Sequence, residues 1–129
     1  MLNEEDLDQF FGTEHWYKHW AGQCVYTDGV KYVADEGGAH WLIDAIASWQ
    51  TDPKVINNKK LAEFQLWTLK VKNGKAVLTC QEDSNEPNIV TQKMSTDFPL
   101  SEIQFYVEPM GDRNEYSTGK MCILLKSEH

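Results

Sequence analysis

The sequence is poor in positive charge. It contains 12 Lys and Arg residues against 20 Asp and Glu, so its formal net charge is −8, and Arg113 is the only arginine. Binding nucleic acid without regard to base sequence requires a basic surface that displaces counterions from the phosphates. The composition therefore argues against direct binding of nucleic acid.

Cysteine is scarce, and long apolar runs are missing. The three cysteines, Cys24, Cys80 and Cys122, lie far apart without C-x-x-C spacing, which predicts reduced thiols in the core. No run of about 18 apolar residues is present, which predicts no membrane-spanning helix. The first ten residues are acidic, unlike a secretory signal. We therefore expect a soluble cytoplasmic protein with no membrane association.

Acidic residues are concentrated at the start of the chain. The first fifty residues contain nine acids and two bases, a net charge of −7. Solubility is the commoner reason for an acidic surface, but an acidic surface also suits a basic partner. The candidate binding residues are seven of these carboxylates: Glu4, Glu5, Asp6, Asp8, Asp28, Asp35 and Glu36. The expected partner is a protein of unknown identity. No cofactor is expected, and the oligomeric state stays open.

Capping residues and hydrophobic spacing predict helices in the first part of the chain. Asn3, followed by three acids, is typical of a helix start. Thr27 is placed to cap a second helix over residues 28–36. A third helix over residues 39–50 would bury one face. That face consists of Leu42, Ala45, Ile46 and Trp49.

Alternating apolar and polar residues predict strands in the second part. Residues 64–71 and 75–80 flank Asn73-Gly74, which is a strong hairpin signal. Residues 109–119 are expected to form a long polar loop. Three further strands are expected over residues 88–94, 103–107 and 121–125.

These elements predict one α+β domain spanning residues 1–129. Its helical part, about residues 1–52, would pack on a sheet formed by about residues 61–126. The sheet would have four to five strands. We expect all of them to be antiparallel, because the connections are too short for crossovers.

His15 and His19 are candidate metal ligands. On a helix, residues i and i+4 point the same way, which suits two ligands of one ion. The residues between them, Trp16, Tyr17 and Lys18, supply no general base. Helical structure here is itself unassigned, so we predict that no tight metal site exists.

His40 and Asp44 are the candidate catalytic residues, again at i and i+4. An Asp can orient a His as a general base. A surface hydrogen bond is the simpler interpretation. The nearest nucleophiles, Ser48 and Cys24, lie in no recognisable G-x-S-x-G elbow. We therefore predict no catalytic residues beyond these two candidates, and we favour a protein that is not an enzyme.

Five stretches of the sequence carry a resemblance: YTDGVKY at 26–32, GGAHWLIDAIAS at 37–48, FQLW at 64–67, TDFPL at 96–100 and LLKSE at 124–128. Together they resemble an uncharacterised family of small domains encoded by bacteria and phages, a domain of unknown function. The resemblance implies a bacterial, phage or mobile-element origin and a stand-alone domain, but no activity, cofactor or catalytic residue. The 109–119 loop departs from it by its length.

Three functions remain open at this point. The first is a non-catalytic accessory protein that binds another protein, in its sharpest form an acidic inhibitor that mimics nucleic acid. The second is a small hydrolase or metal-dependent enzyme that uses His15, His19, His40 and Asp44. The third is an oligomeric structural module without a ligand. We favour the first.

Overall fold

The structure, a computed structural model, describes residues 2–20, 24–110 and 120–129, and these form one mixed sheet with helices. The described strands are β1 (Trp16–Lys18), β2 (Cys24–Thr27), β3 (Gln65–Lys72), β4 (Lys75–Gln81), β5 (Asn88–Ser95), β6 (Glu102–Pro109) and β7 (Met121–Leu125). The described helices are α1 (Glu4–Leu7), α2 (Asp28–Gly37), α3 (His40–Trp49) and α4 (Pro53–Ile56). A 3₁₀ turn over Lys126–Glu128 follows β7.

The sheet is larger than predicted, and it is not purely antiparallel. Its strands lie in the order β1-β2-β7-β6-β3-β4-β5. β2 runs parallel to β7 and pairs Val25 with Cys122, while the other neighbours are antiparallel. The predicted α+β class is confirmed, but the expected four to five antiparallel strands are wrong. Residues 1–52 contain the main helices, as expected, but they also contribute β1 and β2.

The main helices form as their capping and periodicity predict. The Thr27 side chain accepts the Val30 N–H at the start of α2. On α3, Leu42 and Ile46 are each 1% exposed, while Ala45 and Trp49 are half-buried. α1 is capped by Asn3 as predicted, but it ends after a single turn.

The β3–β4 hairpin confirms the prediction from Asn73-Gly74. Asn73 has φ 53° and Gly74 has φ 76°, and two successive positive φ angles are typical of a tight primed turn between antiparallel strands. β3 lies inside the sheet, and its first five residues, 65–69, are buried. The predicted loop 109–119 falls outside the described residues except at Pro109, which ends β6, and Met110.

The helices α2 and α3 pack on one face of the sheet. Val33 and Leu42 from the helices share a core with Phe105 and Ile123 from β6 and β7. The alternate residues of β6 and β7, such as Glu108 and Leu124, therefore face the opposite side. The three cysteines are buried in the fold, as predicted.

A buried carboxylate ties the end of β7 to the start of α2. Glu128 accepts hydrogen bonds from the Thr27 hydroxyl and from the backbone N–H groups of Gly29 and Leu125. The first N–H groups of a helix lack partners within it, and its N-terminus favours negative charge. Glu128 therefore fixes the carboxyl end of the described chain against α2.

We predict that Leu42→Ala lowers the free energy of unfolding by about 2–5 kcal/mol, because the side chain is fully buried in the helix–sheet core. Ser48→Ala, on the exposed side of the same helix, is the matched control and should change it by less than about 0.5 kcal/mol. Urea unfolding followed by circular dichroism measures both. Equal effects of the two substitutions would show that the core is misplaced.

We predict that Gly29→Ala destabilises the fold by about 1–3 kcal/mol through overpacking. A Cβ at this position would lie 2.6 Å from Glu128 Oε1 and 2.7 Å from Leu125 Cδ1. Moving Glu128 aside would break its hydrogen bonds to α2. Gly12→Ala is the control, since a Cβ there meets nothing within 4 Å. Thermal unfolding of the two variants measures the loss of stability. A loss no larger for Gly29→Ala than for Gly12→Ala would contradict the close packing of Glu128 against the start of α2.

Candidate functional site

Three large aromatic side chains stand exposed around the terminal strand β1. Phe11 is 81% exposed, Trp20 84% and Trp16 41%. Phe11 precedes β1, Trp16 opens it, and Trp20 follows it. We call these three residues the aromatic rim. The three side chains lie within residues 11–20 of the sequence, which makes this segment a candidate contact surface.

Asp28, the first residue of α2, fixes the segment that leads into β1. Its carboxylate accepts the backbone N–H of Glu14 at 2.9 Å and of His15 at 3.4 Å, and the Tyr17 hydroxyl at 3.0 Å. In return, the Asp28 N–H donates to the Thr13 hydroxyl. These bonds hold β1 against the start of α2.

The same contacts shift two pKa values. The Glu14 N–H, followed by the Tyr17 and Thr13 hydroxyls, holds the pKa of Asp28 below its ordinary value. The pKa of Tyr17 is raised, chiefly because its hydroxyl donates to the Asp28 carboxylate. The fold therefore favours Asp28 in its ionised form and Tyr17 in its protonated form.

Asp44 on α3 fixes the other end of the rim. Its Oδ1 lies 2.7 Å from Nε2 of His19 and accepts the indole N–H of Trp20 at 3.2 Å. The rings of His19 and Trp20 lie 5.1 Å apart. His19 is buried, although Trp20 beside it is exposed. Trp20 is therefore held in one orientation while it faces solvent.

The two candidate catalytic residues, His40 and Asp44, have other partners in the structure. Nε2 of His40 lies 2.8 Å from Oδ1 of Asp35, whereas Asp44 binds His19 and Trp20. Each histidine pairs with an aspartate from a different element, which the i, i+4 spacing on α3 does not reveal.

The nucleophiles considered beside that pair are engaged elsewhere. The Ser48 hydroxyl donates to the Ala45 carbonyl on its own helix. Burial raises the pKa of the Cys24 thiol to about 12, so the reactive thiolate is disfavoured at neutral pH. The same holds for Cys80.

The candidate metal ligands His15 and His19 flank a strand, not a helix. Nδ1 of His15 lies 3.7 Å from Asp28, whereas His19 binds Asp44. Across residues 2–20, 24–110 and 120–129, no group of three or more His, Cys, Asp or Glu side chains could hold a metal ion. That the purified protein lacks a tight metal site stays a prediction.

The seven candidate acids divide into two groups. Asp28 holds the β1 segment, and Asp35 pairs with Lys31 and His40, with Lys31 chiefly lowering its pKa. Burial and a hydrogen bond to Asp6 raise the pKa of Tyr32 on α2, and the charge of Glu36 adds to this. α1 and α2 are close together here, since a Cβ on Gly37 at the end of α2 would meet Leu2 just before α1. We call the five remaining candidate carboxylates the acidic patch: Glu4, Glu5, Asp6, Asp8 and Glu36.

Comparison with protein families assigns this α+β chain to a family. A family of unknown function (DUF6876) matches residues 1–129, and the chain belongs to this family. Searches of curated proteins and of solved structures found no match. No helix within the described residues has the length and apolar character needed to cross a membrane.

We predict that Asp28→Asn lowers the free energy of unfolding at pH 7 by about 1 kcal/mol, the usual contribution of such a hydrogen bond. Because folding lowers the pKa of Asp28, its charge stabilises the fold above the unfolded pKa of about 4. That contribution is lost as pH falls through the lower, folded pKa. The difference between parent and variant should therefore shrink in acid. Thermal unfolding between pH 7 and pH 2 measures it.

Asp97→Asn serves as the control, because Asp97 is an exposed aspartate outside this network. It should leave the free energy of unfolding unchanged within about 0.5 kcal/mol. A constant difference between parent and Asp28→Asn at every pH would contradict the assignment of charge-assisted bonds to Asp28.

Proposed function

We propose that this protein acts without catalysis by binding another protein, and that the aromatic rim is its contact surface. The observation that carries this proposal is the state of Trp20. Its ring is 84% exposed, yet its indole N–H is fixed by Asp44. An oriented Trp loses little conformational freedom when a partner covers it, and Trp is enriched among the residues that dominate binding energy.

The positions of the rim residues suggest how a partner would dock. Trp20 contacts Asp44 of α3 on the helical side of the sheet. Trp16 lines a cleft with Leu124 and Glu108 on the other side. β1 lies between them and is terminal in the sheet. A partner that binds this edge would contact the rings of Trp16 and Trp20, one on each face of the sheet.

The charge of the chain points to a basic partner. The net charge is −8, and the acidic patch is part of that surface. Asp28 and Asp35 are engaged within the fold, so fewer carboxylates can imitate phosphates than the sequence indicates. We infer an accessory or inhibitory protein of bacterial, phage or mobile-element origin, acting in the cytoplasm. It would engage a basic protein mainly through aromatic contacts, with acidic residues steering the approach.

We predict that Trp20→Ala and Phe11→Ala each weaken the complex with a captured partner by about tenfold or more, as loss of a dominant interface side chain does. Ile56→Ala is the matched control, since Ile56 is also exposed, at 61%, but lies on α4 away from the rim. Surface plasmon resonance with the purified partner gives the dissociation constants. If only Ile56→Ala weakens binding, the rim is not the interface.

We predict that neutralising Glu4, Glu5, Asp6 and Asp8 together slows association about tenfold at low salt, with little effect on dissociation. Long-range attraction acts on the encounter rate and is screened over about 8 Å at physiological salt. The parent should lose this advantage as salt rises, so stopped-flow association rates of the two proteins should converge. Equal rates at low salt would show that these four carboxylates do not steer association.

A further inference from the structure

A cleft of about 480 Å³ lies on the sheet face opposite α2 and α3. Thr27 of β2 and Cys122 and Leu124 of β7 contribute to its lining. Trp16 lines it from β1 and Glu108 from β6, with Met110, Glu128 and His129 also in the lining. Since β2 and β7 separate β1 from β6, the two side strands are about 14 Å apart.

The charged side chains that line this cleft are mainly acidic. Its described lining contains the carboxylates of Glu108 and Glu128 and no Lys or Arg. Glu128 is committed to Thr27 and to the backbone of α2. Glu108 keeps 31% of its side chain exposed, with one oxygen 3.2 Å from Nε2 of His129. Glu108 is therefore the carboxylate that a ligand in the cleft could reach.

We propose that the cleft binds an arginine side chain supplied by the partner protein. A guanidinium group can pair with the Glu108 carboxylate through two parallel N–H···O bonds, a geometry that a lysine ammonium cannot match. The aliphatic part of the side chain would cross the cleft toward Trp16, over the small exposed parts of Leu124 and Cys122. This proposal rests on the proposed function, because it names the chemistry that the basic partner presents at the Trp16 side of the rim.

The test needs no partner protein. N-acetyl-L-arginine amide is titrated into ¹⁵N-labelled protein while the Trp indole N–H signals are followed by NMR, with the Trp16 signal assigned by Trp16→Phe. N-acetyl-L-citrulline amide is the matched neutral probe, because it has nearly the same shape without the charge. The arginine probe should bind with a dissociation constant on the order of 1 mM, as expected for a small ligand. The citrulline probe should bind at least tenfold more weakly.

Three variants locate the site. Glu108→Gln should weaken the arginine probe at least tenfold, whereas Glu82→Gln, which removes a carboxylate that pairs with Lys60, should not. Trp20→Ala should leave the probe's affinity unchanged, because Trp20 lies on the other side of β1. Failure of the cleft proposal is thus separable from failure of the rim, which Trp20→Ala tests against the partner.

Two results would overturn the proposal. One is equal binding of the arginine and citrulline probes, or no saturable shift of the Trp16 signal at all. The other is arginine binding that Glu108→Gln leaves intact, which would place the guanidinium elsewhere on this acidic protein.

Discussion

The first turn of α2 is the junction on which the rest of the structure depends. Thr27 caps the helix, Glu128 reaches its free N–H groups from the end of β7, and Asp28 binds the segment that leads into β1. The N-terminus of a helix favours negative charge, so two carboxylates can converge there at little cost. Through them, one helical turn positions both β1 and the carboxyl end of the described chain against the same sheet.

The candidate interaction surface follows from that junction. Because Asp28 holds β1 at the end of the sheet, Trp16 lies over the face opposite the helices and Trp20 reaches Asp44 on α3. Trp16 belongs both to the aromatic rim and to the cleft that holds Glu108. The rim supplies apolar contact area, the cleft supplies the Glu108 carboxylate, and the acidic patch supplies long-range attraction. A basic protein with an exposed arginine satisfies all three.

The parts of the fold with strong local signals were predictable from the sequence. Thr27 as a cap, the buried stripe of α3 and Asn73-Gly74 between alternating strands each depend on residues close in the chain. β1 and β2 were missed because they have three and four residues, too few to show alternation. The parallel pairing of Val25 with Cys122 joins distant parts of the chain, for which no local pattern exists.

In the candidate site, too, contacts between distant parts of the chain could not be predicted from local patterns. The candidate histidines and acids have partners from different elements, so His40 contacts Asp35 and Asp44 contacts His19. The exposure of Trp16 and Trp20 could not be predicted from an aromatic-rich stretch either, since such rings are usually buried.

The most direct test of the proposed binding surface is amide hydrogen exchange of this protein, alone and saturated with its captured partner. Binding through the aromatic rim should slow exchange in residues 14–20 and leave β5, at the opposite edge of the sheet, unchanged. Protection confined to β5, with residues 14–20 exchanging as in the free protein, would contradict it.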